Sequence, residues 1–440
     1  MENSTRVRNT IHNSAWLIGE KIFALIFGFF VTAFVARYFG PDLFGQFNYA
    51  LSFVVLFTAI STLGLETLSV KAIVNKDYSE GEILFTSLLL RVIGGFFLTV
   101  LATTIIKFIE PNDKNIQILV FILSVSMVIK SLEVIEFWIQ AYQKAKISST
   151  IRILAYIVIS TFKLFVVLKH GSVIHLALVY LADAVIVGIA LIYAYYKYRN
   201  VTSTWKINIE YGKNILAQSW YLIIAGLMVT IYTQIDKVML GILMPSRASV
   251  GVYSVATRIA TIWYFVPMAL ITSMKPVIFE ERKINRSKYL NSMQHLYTII
   301  AWIGILFGIF ILLISNYVII HLFGQEYQEA SSILTISVWA GIFATLGSAR
   351  SIWLISEGLQ KYTLFYTMVG VVTNIVLNTV LIPRIGALGA AISTLISQIS
   401  ANVLALFVFR KTRISSVMIL KAFWPVPLIS YLINKKGNRC

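Results

Sequence analysis

Residues 172–196 read SVIHLALVYLADAVIVGIALIYAYY, a run of 25 residues in which Asp183 is the single Asp, Glu, Lys or Arg. An α-helix of about 20 apolar residues crosses the hydrocarbon of a bilayer. The run is therefore long enough to span a membrane, with its charge near the middle. A charge at that depth costs about 2.5–3.5 kcal/mol on insertion scales, so such a residue normally faces a bundle interior or a watery cavity.

The same pattern recurs along the whole chain, which has 440 residues, 58% of them hydrophobic and 13% charged. Soluble chains are nearer a quarter charged, so the composition excludes an ordinary soluble domain. Hydropathy predicts an all-α integral membrane protein with twelve transmembrane helices. The predicted spans are residues 14–36, 43–65, 83–109, 116–138, 149–168, 172–196, 213–236, 250–273, 293–315, 330–355, 362–382 and 386–409. The connections between them are too short to hold an extramembrane catalytic domain.

The distribution of Lys and Arg predicts the orientation. In or beside the connections, 23 of the 37 basic residues lie on the side of both termini and 7 on the other side. Short cytoplasmic loops carry an excess of Lys and Arg, so both termini are expected in the cytoplasm. No small-residue cleavage pattern is present after the first apolar run, and the first span is expected to be retained. The apolar stretch 417–433 is interrupted by Lys421, Pro425 and Pro427 and is interpreted as interfacial.

The two halves of the chain resemble each other. Trp138, Lys146 and Gly171 each have an identical residue 215 positions later, and the segment 40–50 resembles the segment 241–256 at an offset of 201–206. Six helices separate equivalent positions, so the halves have the same topology, as in parallel repeats. We therefore expect two pseudo-symmetric six-helix lobes around a central cavity, at 1–200 and 201–409, and then a basic tail at 410–440.

Several segments resemble known flippases. They are VARYFGPDLFGQFNYA (35–50), QIDKVMLG (234–241), VGVYSVATRI (250–259), LFGQEY (322–327) and IPRIGALGAA (382–391). Together they are similar to the O-antigen and polysaccharide flippases of the multidrug/oligosaccharidyl-lipid/polysaccharide superfamily, over about residues 12–409. The resemblance implies two six-helix lobes and transport of a sugar chain on a polyprenyl pyrophosphate from the cytoplasmic to the outer leaflet. It implies no catalytic residue.

Basic residues inside the spans are the candidates for binding such a substrate. They are Arg91, Lys130, Lys163, Arg258 and Arg350, together with Arg152 near the end of its span. Arginine binds pyrophosphate oxygens through two parallel hydrogen bonds, and lysine supplies a point charge. The alternatives are that Lys130, Glu133 and Glu136 form a structural ion-pair cluster, and that Arg152 extends to the interface.

Polar and acidic residues inside the spans form a second group. Thr363, Thr367, Gly370, Asn374 and Asn378 share one helical face, which suits sugar hydroxyls or helix–helix contacts. Asp183 is a candidate for proton or cation coupling, or pairs with Lys163. Glu20 and Asp236 each precede a lysine and are expected to pair or to couple.

These observations favour a non-enzymatic flippase in a bacterial plasma membrane that works by alternating access. The expected partners are the lipid bilayer, a polyprenyl-pyrophosphate-linked oligosaccharide such as an O-antigen unit, and a glycan polymerase complex. No cofactor, metal or nucleic acid is expected. The alternatives are a multidrug exporter of the same fold, which should have excess acid in its cavity, and a polytopic glycan polymerase or glycosyltransferase, which needs a catalytic site outside the spans.

Overall fold

A computed structural model shows a helical protein in which no β-strand occurs among the described residues. Residues 2–199 and 204–424 are described, with side chains from residue 13, except residue 14. Within these described residues, ten helical segments are long and apolar enough to cross a membrane, and two of them, Ala15–Asn75 and Gln360–Phe407, each contain two spans joined at a kink. The predicted all-α, twelve-helix membrane fold is confirmed, and each predicted span overlaps an observed helix.

Contacts divide the chain into two units, Met1–Gln234 and Ile235–Cys440. The helices of the first unit are α1 (Glu2–Ser61), α2 (Leu65–Asn75), α3 (Glu80–Ile109), α4 (Lys114–Ile129), α5 (Ile135–Ala141), α6 (Ala145–Leu168), α7 (Val173–Tyr198) and the larger part of α8 (Ile209–Leu243). Those of the second are the end of α8, α9 (Ala248–Ala260), α10 (Phe265–Ile284), α11 (Arg286–Phe323), α12 (Ala330–Ser356), α13 (Thr363–Asn402) and α14 (Arg413–Lys421).

The boundary lies inside α8 because the first half of this helix packs on the first unit. The hydroxyl of Tyr211 lies 2.9 Å from that of Ser69 and 3.2 Å from that of Ser87. Tyr211 and Ile215 also belong to the buried core that includes Trp138. The second unit has its own core, which is centred on Trp263, Tyr297 and Trp353.

Each kink has a local cause. In α1, Gly40 has φ 68° and ψ 172°, and Pro41, which has no N–H to donate, begins a new helix. In α13, Ile385 and Gly386 leave the helical region, with φ 59° at Gly386, three residues after Pro383. A positive φ is readily adopted only by glycine, which has no Cβ.

Further interruptions occur inside three spans. The helix is interrupted by a turn at Thr62–Gly64, between α1 and α2. In the span formed by α9 and α10, a 3₁₀ turn, Ile262–Tyr264, separates the two helices. Another 3₁₀ segment, Lys130–Val134, joins α4 to α5 within one span. It advances the side chains by about 120° per residue instead of 100°, so faces calculated for a regular helix shift along this segment.

The end of the chain is partly described. After α13 the chain forms a short turn and then α14, whose residues Ser415, Ser416, Met418 and Ile419 are buried. The predicted interfacial stretch 417–433 and the predicted tail therefore lie only partly within the described residues.

Candidate functional site

Two acidic residues inside a span of the first unit pair with Arg152 on α6. Its Nη2 donates to Glu136 Oε1 at 2.9 Å, its Nε donates to the same oxygen at 3.2 Å, and Glu133 Oε2 is 3.8 Å away. Ser148 also donates to Glu136 Oε1, at 2.6 Å. The acids expected to share a face with Lys130 thus pair with a cation on another helix. Arg152 therefore has partners that stabilise its charge within the unit.

Lys130 and Lys163 both act on Asp183 of α7. Lys130 Nζ donates to the hydroxyl of Tyr180 at 3.2 Å and lies 5.0 Å from the centre of its ring. Tyr180 is one turn before Asp183, and the charges of Lys163, Lys130 and Arg152 all act on the Asp183 carboxylate. The structure therefore brings together the cations and acids of four spans. We call Glu20, Lys130, Glu133, Glu136, Arg152, Lys163 and Asp183 the first-unit charge cluster.

A small cavity opens into this cluster. Its volume is about 140 Å³, and its polar lining comes from Glu20, Arg152, Tyr156 and Asp183. Ser149 donates to Glu20 Oε2 at 2.9 Å and holds that carboxylate in place. This volume accommodates several water molecules or a small ion.

Arg91 on α3 lies apart from these hydrogen bonds. Only 7% of the residue is exposed, and its buried Nε has no hydrogen-bond partner among the described residues. The carboxylates of Glu133 and Glu66 act on it through their charges, and Glu66 accepts a hydrogen bond from Gln140 at 2.7 Å. A buried guanidinium nitrogen without a hydrogen bond is energetically costly.

The second unit contains a different cluster, centred on Asp236 near the end of α8. One carboxylate oxygen accepts hydrogen bonds from Asn374 at 3.0 Å and Asn378 at 2.7 Å. The other accepts from Tyr253 at 2.5 Å and Thr394 at 2.6 Å. We call these five residues the Asp236 cluster. It joins α8, α9 and both parts of α13, and four neutral donors surround one acid.

In the Asp236 cluster, Asn374 and Asn378 contact a carboxylate and not a solvent-filled space. Both side chains are fully buried, and their amide nitrogens are used by Asp236. Neither presents surface to a sugar in this structure. The four neutral donors together satisfy both oxygens of the Asp236 carboxylate.

The two arginines of the second unit have unlike surroundings. Arg258, at the end of α9, is exposed. Arg350 on α12 is buried, donates from Nη1 to the carbonyl of Ala401 at 2.8 Å, and lies 4.9 Å from the centre of the Tyr366 ring. Arg350 therefore packs inside its unit, whereas Arg258 is accessible.

Sequence reasoning missed the hydroxyl partners of both clusters. Tyr180, Tyr253 and Thr394 carry no charge and lie in spans rich in similar residues. The one usable signal was spacing: Tyr180 precedes Asp183 by three residues and so shares its helical face.

Comparison with known proteins decides the family. The family described as "Polysaccharide biosynthesis protein" matches residues 10–282. The chain belongs to this family. A second family, MatE, matches residues 222–380. The expected resemblance to polysaccharide flippases of the multidrug/oligosaccharidyl-lipid/polysaccharide superfamily is thereby confirmed.

Individual relatives agree with this assignment. The capsular polysaccharide biosynthesis protein CapF of Staphylococcus aureus is 22% identical over 412 residues, which cover 91% of this chain and 99% of CapF. The probable flippase AglR of Haloferax volcanii is 27% identical over 186 residues, which cover 40% of this chain and 37% of AglR.

Solved structures show the same fold. The lipid II flippase MurJ, in an inward closed conformation, has a TM-score of 0.69 at 18% identity, with 95% of this chain and 92% of MurJ covered. An outward-facing multidrug resistance transporter of the MATE family has a TM-score of 0.63 at 16% identity, with 92% and 96% covered. The protein is thus a multi-pass membrane protein with the fold of this superfamily.

Proposed function

We propose that the protein is a flippase that moves a polyprenyl-pyrophosphate-linked oligosaccharide, such as an O-antigen or similar surface glycan unit, from the cytoplasmic to the outer leaflet. The observation that carries the proposal is the first-unit charge cluster, in which cations and acids from several spans surround a polar cavity. Ionisable residues are retained inside spans where they bind substrate or couple transport. AglR is described as a probable flippase and MurJ as a lipid II flippase, which supports the same class.

The pyrophosphate is the part of the substrate that the cations would contact. Arg91, Lys130, Lys163, Arg258 and Arg350 are the proposed contacts. Lys163 is half-buried and Arg258 is exposed, so both have surface available to a ligand. One guanidinium N–H of Arg350 instead donates a hydrogen bond to the carbonyl of Ala401. We therefore place Lys163 and Arg258 first among the residues that bind the substrate.

The Asp236 cluster is the proposed coupling site. Binding of a proton or a small cation would change the charge of Asp236, and its four donors lie on α9 and α13. A change of charge there alters contacts among three helices at once. Asn374 and Asn378, predicted from the sequence as sugar contacts, would serve this site. Glu20 and Asp183 are the corresponding candidates in the first unit.

The experiment uses a bacterial host whose surface glycan depends on this protein. Lys163→Ala and Arg258→Ala are expected to reduce glycan export at least tenfold with normal amounts of inserted protein. Lys107→Ala and Lys213→Ala, at exposed positions, are the controls and should leave export unchanged. Unchanged export in both test variants would contradict the site assignment.

A multidrug exporter is the second candidate, because the MatE family also matches the chain. The same host distinguishes the two. Resistance to cationic drugs, without any effect on surface glycan, would favour the exporter. A glycan polymerase or glycosyltransferase is disfavoured by the short connections between spans, and we propose that the protein is not an enzyme.

The proposed location is a bacterial plasma membrane, with both termini in the cytoplasm. The basic connections on the side of the termini support this orientation. A glycan polymerase is the proposed protein partner, since it would use the translocated unit.

A further inference from the structure

Helix α14 is docked on the second unit through one face. The hydroxyls of Tyr297 on α11 and Ser415 are 3.0 Å apart, and Gln294 Nε2 donates to the carbonyl of Met418 at 3.0 Å. Ser416 donates to the carbonyl of Val403 at 2.8 Å. The buried side chains therefore lie on the face that contacts the transmembrane helices.

A second anchor lies just before α14. Tyr366 on α13 donates to the Thr412 hydroxyl at 2.9 Å, and the Tyr366 ring lies beneath the Arg350 guanidinium. The hydroxyl of Thr412 in turn donates to the carbonyl of Leu406 at 2.8 Å. Helix α14 and the turn before it are thus tied to α11 and α13 directly and to α12 through Arg350.

The outward face of α14 carries large apolar residues interspersed with basic ones. Its exposed large hydrophobic residues are Ile414, Val417 and Leu420, at 40–45% exposure, and Trp424, three residues after the helix ends, is 69% exposed. The spacing of the three helical residues puts them within about 120° of one another, on an arc that Arg413 and Lys421 share. An apolar stripe opposite a face that is already docked has no partner within the described part of the unit.

Exposed cations accompany the stripe. They are Arg410, Lys411, Arg413 and Lys421. Residues 358–440 contain nine Lys and Arg and no Asp or Glu. The positive charge of this surface is therefore not balanced by any acid in the last 83 residues of the chain.

Position and chemistry together indicate a lipid surface. The last span ends at Phe407, six residues before α14 begins, so α14 lies where the chain leaves the hydrocarbon. Helices with an apolar face, a tryptophan and several Lys or Arg lie at the headgroup level of anionic membranes. Lys and Arg beside a membrane are attracted by the negative surface potential of anionic lipids. A second copy of the same face would instead be repelled, because both surfaces are positive.

We propose that α14 binds the headgroups of anionic phospholipids and thereby fixes the ends of α11, α12 and α13 at the membrane surface. The interaction is independent of the proposed transport function, because it is a property of the surface of α14 and is measured as lipid binding.

The experiment measures the preference of the full chain, reconstituted in bilayers, for spin-labelled phosphatidylglycerol over spin-labelled phosphatidylcholine. The test variant carries Arg410→Gln, Lys411→Gln, Arg413→Gln and Lys421→Gln. The matched control removes four exposed cations elsewhere, through Lys197→Gln, Lys206→Gln, Lys213→Gln and Lys283→Gln. We expect the preference to fall at least twofold in the test variant only. Equal preferences in the two variants would overturn the proposal.

Two further measurements test whether residues 425–440 cause the lipid preference and whether α14 lies in lipid or in water. A chain ending at Trp424 should keep the preference, and its loss there would assign the binding to residues 425–440 instead. Because Cys440 is the single cysteine, Val417→Cys in a Cys440→Ser background accepts one nitroxide label. We expect the label to be more accessible to oxygen than to a water-soluble nickel complex. The reverse order would place α14 in water and contradict the proposal.

Discussion

Tyr142 and Glu357 lie 215 positions apart and hold equivalent connections in the two halves of the chain. Tyr142 donates to Glu80 Oε2 at 3.0 Å, at the start of the third span. Glu357 accepts two hydrogen bonds from Arg282, at 3.0 and 3.2 Å, at the end of the eighth span. Partial burial and the hydrogen bond to Glu80 raise the pKa of Tyr142, so the phenol keeps the proton it donates. Equivalent connections in the two halves thus both make a polar contact, a tyrosine–carboxylate hydrogen bond in the first half and an arginine–carboxylate ion pair in the second.

Breaking the Glu357 contact should weaken the second unit. Glu357→Gln removes the charge that both guanidinium donors use, and such hydrogen bonds contribute about 1.5–3 kcal/mol when buried. Arg282 is one-third exposed, so we expect a loss nearer about 1 kcal/mol, after allowing for solvent screening. Thermal unfolding in detergent measures it. Glu329→Gln, at an exposed site, should have no effect, and an equal loss there would contradict the assignment.

The residues that follow Tyr142 and Glu357 allow a test of backbone strain by exchanging glycine and glutamine. Gln143 has φ 52° and Gly358 has φ 68°, again 215 positions apart. The left-handed region costs a non-glycine residue about 1 kcal/mol, and a Cβ at Gly358 would meet no atom within 4 Å. Gln143→Gly should therefore raise the midpoint of thermal unfolding, and Gly358→Gln should lower it. Shifts of the same sign in both variants would show that backbone strain does not decide stability here.

The sequence predicts the spans well because a bilayer demands long apolar runs. The repeat was also visible, since Trp138 and Trp353 are both buried and occupy equivalent places in the cores. The partners of the charges were not predictable. Whether Glu136 meets Lys130 or Arg152 depends on how α5 and α6 pack, and helical periodicity describes only one helix at a time.

The polar stripe of α13 shows the same limit. The spacing of Asn374 and Asn378 correctly placed both on one face, and both donate to Asp236. The pattern did not reveal which helix that face meets. The kink at Gly386 brings Thr394 to the same acid, and this bend has no periodic signature.

The pair of Arg152 and Glu136 should be more sensitive to single than to double replacement. Removing one partner leaves a charge in a poorly solvated place, at a cost of up to about 3–5 kcal/mol for a fully buried pair. Arg152→Met alone should therefore lower the unfolding midpoint more than Arg152→Met with Glu136→Gln. A double-mutant cycle measures the coupling. Additive effects would mean that the two side chains do not interact.

The Asp236 cluster should control transport through its charge. Asp236→Asn keeps the size of the side chain but removes its charge and replaces one of its two acceptor oxygens by a donor, so we expect glycan export to fall at least tenfold. Tyr253→Phe removes one of the four donors and should cause a smaller loss. Thr379→Val is the control, because Thr379 is exposed and donates within α13 to Val376. Export by the Asp236→Asn protein equal to wild type would exclude a coupling role.

Arg350 should determine whether the end of the chain stays docked. Its guanidinium binds the carbonyl of Ala401 and lies over Tyr366, whose hydroxyl holds Thr412. Arg350→Lys keeps the charge but loses the planar donor geometry, and Tyr366→Phe removes the hydrogen bond while keeping the ring. Both should speed amide hydrogen exchange in α14, and Arg350→Lys should also do so near Ala401.

The exchange experiment needs a comparison within the same unit. Amides of α9 should be unaffected in Tyr366→Phe, because the lost hydrogen bond joins only α13 and the turn before α14. Faster exchange throughout the unit would indicate general destabilisation. Unchanged exchange in α14 would mean that the buried hydroxyls of Tyr297 and Ser415 suffice to hold the helix, so that Arg350 contributes to packing around Ala401 alone.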